Sequence, residues 1–465
     1  MNVVAADGGR AVRNLWVDCF RGLALVVIFI NHMPGNPWAA YTPSRWGPSD
    51  AAEIFVFLSG YAAAIAYGRS FGDAGVGLGS AAVLFRCAQI YVAHVAAFLL
   101  VAAVFAYALL LGVTEFDWQF DGLRYFFDRP QQALPALLSL RYVPNYVDIL
   151  PMYLVMMLWL PLVWALARIH VAIAFVFPLA LYVAARALGW ELSADPVSGR
   201  SWYFNPFCWQ LLFFTGFAFG GGWMRVPRWR PVLGWLCAAF VVLCVPLEND
   251  AAAAHLPWYA TWREQWTIVL DKSHLGPIRY VHFLALAYLL AHFAASKPTW
   301  PKRAGLRQLV VLGQQSLPVF LAGTVLSFAG GIVLGQLRLD MVGAAVVTVV
   351  GVVSMVVFAR VLSWLDGKPW KRVGVRRPAT LLLDIGARGA MAFSLLMLAA
   401  APLYFLQNNG VPDDEPASAE FATMPADPPL PTPTDATSNE EDVQALSEAV
   451  YQQSGDVGAG AVDTL

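Results

Sequence analysis

The sequence predicts an all-α polytopic membrane protein with ten or eleven transmembrane helices. Three observations predict it. Of 465 residues, 58% are hydrophobic and 13% charged, about half the charged share of an average soluble domain. Apolar runs near bilayer length recur along the chain, and Lys and Arg fall unevenly between them. The charge deficit excludes a disordered chain and almost any soluble enzyme of this size. A formal net charge of −1 provides no basic field for nucleic acid. The 18 Trp and 16 Tyr suit a protein with two membrane–water interfaces.

A hydrocarbon core of about 30 Å takes roughly 20 apolar helical residues. Such runs occur near 15–33, 50–67, 82–112, 147–168, 171–189, 206–224, 232–247, 278–295, 309–335, 340–364 and 389–406. The first is broken by Asp18 and Arg21 and lacks a small-residue cleavage site, so it reads as a helix and not as a signal peptide. The glycines from Gly75 to Gly79 read as a flexible loop between the second and third runs. Basic residues gather in alternate loops (Arg10, Arg13 and Arg69, then 225–230, 297–307 and 368–388), which places the N-terminus in the cytoplasm. Residues 1–14 then form a cytoplasmic segment, 15–366 the membrane domain, 367–388 a basic cytoplasmic loop and 389–406 an additional span. From Gln407 onward the chain has no Lys or Arg and is rich in Pro, Asp and Glu, which predicts a disordered periplasmic tail. The five cysteines form no C-x-x-C pair and read as small hydrophobes, with no metal site indicated.

The chemistry concentrates in residues 16–38. Asp18, Arg21 and His32 lie in the first helix, where a central charge costs about 2.5–3.5 kcal/mol on insertion scales. Arg21 and His32 are eleven residues apart, so they share a face and stand roughly 16 Å apart along the axis. Asp18, one turn before Arg21, is placed to pair with it. The pair is either a structural neutralisation or part of a site, and His32 is either an interfacial histidine or a base. Asp50 and Glu53 begin the second helix at the level His32 reaches. Asp50 reads as a helix cap, and Glu53 as a carboxylate that orients the imidazole. Ser59-Gly60 reads as a helix-packing site. Arg86 opens the third helix on the side of Arg21, as an anion contact or an ordinary snorkelling residue. His94 reads as a core histidine. No Gly-rich phosphate loop or nucleophile elbow is present.

The run Asp18-x-x-Arg21-Gly22 with His32, set in FRGLALVVIFINHMPGN and followed by SDAAEIFVFLSGY, resembles the integral-membrane acyltransferases of type 3. Within them it looks like the OpgC branch, associated with succinylation of osmoregulated periplasmic glucans. The resemblance is strong over residues 14–70 and architectural beyond helix three. It implies a multi-pass protein of the bacterial inner membrane that transfers an acyl group from cytosolic acyl-CoA, here succinyl-CoA, to a glucan hydroxyl. Arg21 would meet the coenzyme and His32 would act as the base. The superfamily commonly carries Arg-x-x-Arg at helix three; here Arg86 fits and Gln89 replaces the second Arg. Outer-loop aromatics (Trp118, Tyr125, Tyr142, Tyr146, Trp202, Tyr203, Trp258, Tyr259, Trp262) are candidates for stacking on sugar or for interface anchoring. The rival readings are a secondary transporter, with Gly330-Gly331 as its helix break, and a membrane scaffold.

Overall fold

The computed structural model describes residues 13–113, 118–248 and 256–368, and among them regular structure is helical, with one isolated bridge between Ser193 and Ser201. The additional span at 389–406 and the tail from 407 lie outside the described residues. Eight described helices are long and apolar enough to cross a membrane, and a shorter apolar helix joins them. They are α1 (Leu15–His32), α2 (Ala51–Leu110), α5 (Ile149–Ile169), α6 (Val171–Leu188), α8 (Pro231–Leu243, which reaches spanning length with its 3-10 continuation to Glu248), α11 (Pro277–Ser296), α13 (Ser316–Leu337) and α14 (Met341–Asp366), with α7 (Pro206–Gly220) the shorter one. Small helices fill the connections: α3 (Trp118–Asp128), α4 (Pro130–Leu138), α9 (Pro257–Glu264), α10 (Thr267–Leu270) and α12 (Ala304–Gln314).

Every expected run from 15 to 366 has its helix, and two local readings are corrected. The 60 residues of α2 would measure roughly 90 Å if straight, three times the hydrocarbon thickness. Gly75, at φ 78 and ψ 174, breaks the rod in a conformation that side chains avoid. Phe71 lies against Gly79 across the break, and Phe55 and Phe105 both reach α13, at Phe320 and Phe328. The two arms therefore fold back on each other at a single residue, and the expected loop at 75–79 is helix on both sides of it. The second correction concerns the run at 309–335. The helix is interrupted at Gln315, between α12 and α13, and runs unbroken through Gly330-Gly331.

Close backbone approach holds the centre together. Lipid is as apolar as a leucine side chain, so helices associate in it through contact area and small residues. A Cβ on Gly22 would lie 1.9 Å from the Leu309 carbonyl oxygen, and one on Gly313 1.8 Å from that of Asp18. On the first arm of α2, a Cβ on Gly60 would lie 1.9 Å from the Phe213 carbonyl oxygen, and Cβ atoms on Gly216 and Gly220 of α7 would lie 2.0 and 2.3 Å from those of Phe57 and Tyr61. Ser59-Gly60 is thus the packing site its composition suggested. α6, α8 and α14 are the least buried spans and carry outward apolar side chains such as Val176, Trp235 and Val349. Of the cysteines, Cys237 is half-buried and the other four are buried.

Gly216→Leu is expected to cut the yield of monodisperse protein severalfold in fluorescence-detected size exclusion, because overpacking of a tight contact costs about 1–3 kcal/mol. Gly72→Leu is the control: nothing lies within 4 Å of its Cβ position, and its yield should match wild type.

Candidate active site

α1 runs between two cavities. At its C-terminal end, a cavity of about 580 Å³ is lined by His32, Asp50, Tyr146, Asp148, Lys272 and Arg279, among others. At its N-terminal end, a second cavity of about 940 Å³ is lined by Arg13, Asp18, Arg21, Arg69, Trp164 and Lys302, among others.

The loop after α1 fixes the first cavity. Asn31 donates to Ser44 Oγ at 2.7 Å and accepts from Thr42 Oγ1 at 2.8 Å, which ties the residue before His32 to the loop's hairpin. Asn36 donates to Thr348 of α14 at 3.1 Å, and Trp38 Nε1 donates to the Met341 carbonyl at 3.0 Å. The His32 ring stands edge-on to Tyr146, with centroids 4.7 Å apart and planes at 70°. Its Nδ1 is buried with no hydrogen-bond partner among the described residues. Tyr146 sits at φ 70, a conformation that costs a bulky residue about 1–3 kcal/mol.

The carboxylates expected beside His32 are engaged elsewhere. Asp50 is the cap of α2: Oδ1 accepts from the Ala52 amide at 2.7 Å, and the Asp50 amide donates to Glu53 Oε2 at 2.7 Å, which completes a capping box. The other Asp50 oxygen binds Lys272 Nζ at 2.5 Å. Burial alone would raise the Asp50 pKa, but the Lys272 and Arg279 charges outweigh it and hold the carboxyl below its usual range. Glu53, fully buried, accepts from Arg279 at 3.0 Å. Arg279 also reaches Glu248 at 3.4 Å and the Leu270 carbonyl at 3.2 Å. Glu53 therefore joins α2 to α11 and does not orient the His32 imidazole.

Asp148 stands apart from these pairs. It occupies the position before α5 without making a side-chain cap, is buried, and forms no ion pair among the described residues. Burial pushes its carboxyl up to about 6.

At the other cavity the expected pair is exchanged for another. Asp18 takes both of its ionic hydrogen bonds from Arg13, at 2.7 and 3.1 Å, with Gln314 at 3.4 Å. Arg21 turns to the helix interruption and donates to Ser316 Oγ at 2.6 Å, while its buried Nε has no hydrogen-bond partner. Arg86 donates to Gln89 at 3.0 Å and is not among the cavity's lining residues. The cavity gathers Arg21 with Arg13, Arg69 and Lys302; Arg86 does not line it, but stands close enough for its charge to act on Arg21. His94 is buried with neither ring nitrogen hydrogen-bonded. Among the aromatics, Tyr146 and Tyr203 line the first cavity, whereas Tyr142 and Trp202 are buried in the packing. The Trp118 side chain lies outside the described residues.

Sequence reasoning missed Lys272, Arg279 and Asp148. One signal was present for Arg279: it opens the apolar run at 278–295, where an intramembrane charge marks a site by default.

Compared with known families, residues 13–367 match the family model described as OpgC protein. No curated protein matches the chain, and no solved structure does.

Proposed function

Because the chain belongs to the OpgC family, we propose that it is an integral-membrane O-acyltransferase of the bacterial inner membrane. It moves an acyl group, succinyl in our reading, from cytosolic acyl-CoA to a hydroxyl of a periplasmic glucan. One observation carries the proposal: His32 and Arg21 lie on one helix and line separate cavities at its two ends. A donor with an anionic head and a long thin arm suits that arrangement. With the N-terminus cytoplasmic, Arg21, Arg13, Arg69 and Lys302 face the coenzyme phosphates. The pantetheine arm covers the roughly 16 Å between Arg21 and His32 and brings the thioester to the imidazole.

The chemistry then needs one base. His32 removes the proton of a sugar hydroxyl as its oxygen attacks the thioester carbonyl. The ester C–O bond forms, the C–S bond breaks, and the imidazolium returns the proton to the departing thiolate. An acyl-histidine intermediate satisfies the same geometry. Asp50 and Lys272 are matched in charge, so the cavity wall need not be neutralised by the substrate.

The purified protein, supplied with glucan oligosaccharide and either succinyl- or acetyl-CoA, should acylate the sugar, with succinyl-CoA the better donor. Absence of transfer from any acyl-CoA would refute the proposal. Arg21→Lys should raise the KM for acyl-CoA about tenfold or more at unchanged folded yield, since an ammonium cannot reproduce the guanidinium fork. An unchanged donor KM would remove Arg21 from the donor site.

A further inference from the structure

His32 accounts for the proton but not for how an acceptor is held. The wall of its cavity includes a short segment, between α4 and α5, that supplies the lining side chains Asn145, Tyr146 and Asp148. We propose that this turn is the acceptor subsite, in which Asp148 and Asn145 take and give hydrogen bonds to the hydroxyls of a sugar while Tyr146 sets the face of His32 that the sugar meets. The proposal rests on the acyltransferase reading and extends it to the recognition of the acceptor.

Asp148 is the principal evidence. It is 4% exposed, yet it neither caps α5 nor joins an ion pair among the described residues. The nearby acids behave otherwise: Asp50 binds Lys272, and Glu53 binds Arg279. The amides of Asp148 and Ile149 lie against its carboxyl, and the acceptor sites they leave on a buried carboxyl are costly unless something else donates to them. Hydroxyl groups of a sugar are the donors that fit a neutral-to-anionic carboxyl on a cavity wall, and one carboxylate accepts from two of them. The half-buried Asn145 offers both a donor and an acceptor beside it.

Tyr146 explains the position of the turn. Its left-handed backbone and its ring contacts, with His32 at 4.7 Å and Phe328 of α13 at 6.0 Å, fix the segment against α1 and α13. A sugar on Asp148 and Asn145 is thereby presented to the same ring that receives its proton.

The test uses full-length protein in nanodiscs, with a β-glucan oligosaccharide as the probe. In steady-state assays at saturating succinyl-CoA, Asp148→Asn should raise the acceptor KM about 10–100-fold, as expected for loss of hydrogen bonds to a charged group. The donor KM should stay within about twofold. Asn145→Ala, which removes no helix cap, should raise the acceptor KM in the same direction by a smaller factor. Equilibrium binding of the oligosaccharide without acyl-CoA separates this idea from the reading it rests on. Wild type that binds the sugar, with binding weakened in Asp148→Asn, upholds the subsite even if no acyl transfer is detected. Unchanged sugar affinity and acceptor KM in both variants, or no binding of the sugar by wild type, overturns it.

Discussion

Replacement of His32 by Ala is expected to reduce acyl transfer by about 10²–10⁴-fold, the usual contribution of a general base, while the protein still folds. The second half of that expectation follows from the geometry. The imidazole Nδ1 has no hydrogen bond to lose. The edge-on contact with Tyr146 is worth about 0.5–1.5 kcal/mol, which is small beside the backbone contacts that hold α1. Gly22 against Leu309 and Gly313 against Asp18 are untouched by the change. Two readouts are needed together: acylated glucan from cells that carry the variant, and the monodisperse fraction of the purified protein. Wild-type acylation would end the assignment of His32 as base. Lost acylation accompanied by lost folding would instead make His32 a packing residue.

The spans were legible in the sequence because bilayer insertion is decided by composition within a window of about twenty residues. Even the short α7 and the ends of α1 follow from it. The helix break at Gly75 was not legible, since a single glycine at positive φ leaves no signal beyond a glycine cluster that also describes a loop. Within the site, the local relations held and the distant ones did not. Asp50 and Glu53 form a capping box that their spacing announces. Asp18 was read with Arg21 from helical spacing, yet Arg13 precedes the Asn14 cap and is free to fold back onto the first turn. Arg21 meanwhile finds Ser316, 295 positions away. Arg279 reaches Glu53 across 226 positions and Lys272 reaches Asp50 across 222. No pattern in one sequence encodes such pairings; they appear once the bundle sets α11 beside α2.

That last pairing carries the second large effect, because it decides what Glu53 is for. Arg279→Leu is expected to cost about 3–5 kcal/mol, the usual penalty for leaving one member of a buried ion pair without its partner. The orphan would be Glu53, fully buried and next to the Asp50 carboxylate, with only the Asp50 amide left to donate to it. Glu53→Gln should be milder, since Arg279 keeps Glu248 at 3.4 Å and the Leu270 carbonyl at 3.2 Å. The double variant Glu53→Gln/Arg279→Leu should recover part of the loss, for it leaves no uncompensated charge at the junction. Thermal denaturation of the purified proteins, followed by loss of monodispersity, measures all three. A base-orienting Glu53 demands another pattern: Glu53→Gln would keep wild-type stability and lose transfer as heavily as His32→Ala, and Arg279→Leu would not be rescued by it. The structure argues for the first pattern because both Glu53 oxygens are already taken, one by the α2 cap and one by Arg279. A carboxylate held on both sides fixes the wall of the His32 cavity, and neither of these hydrogen bonds goes to the ring.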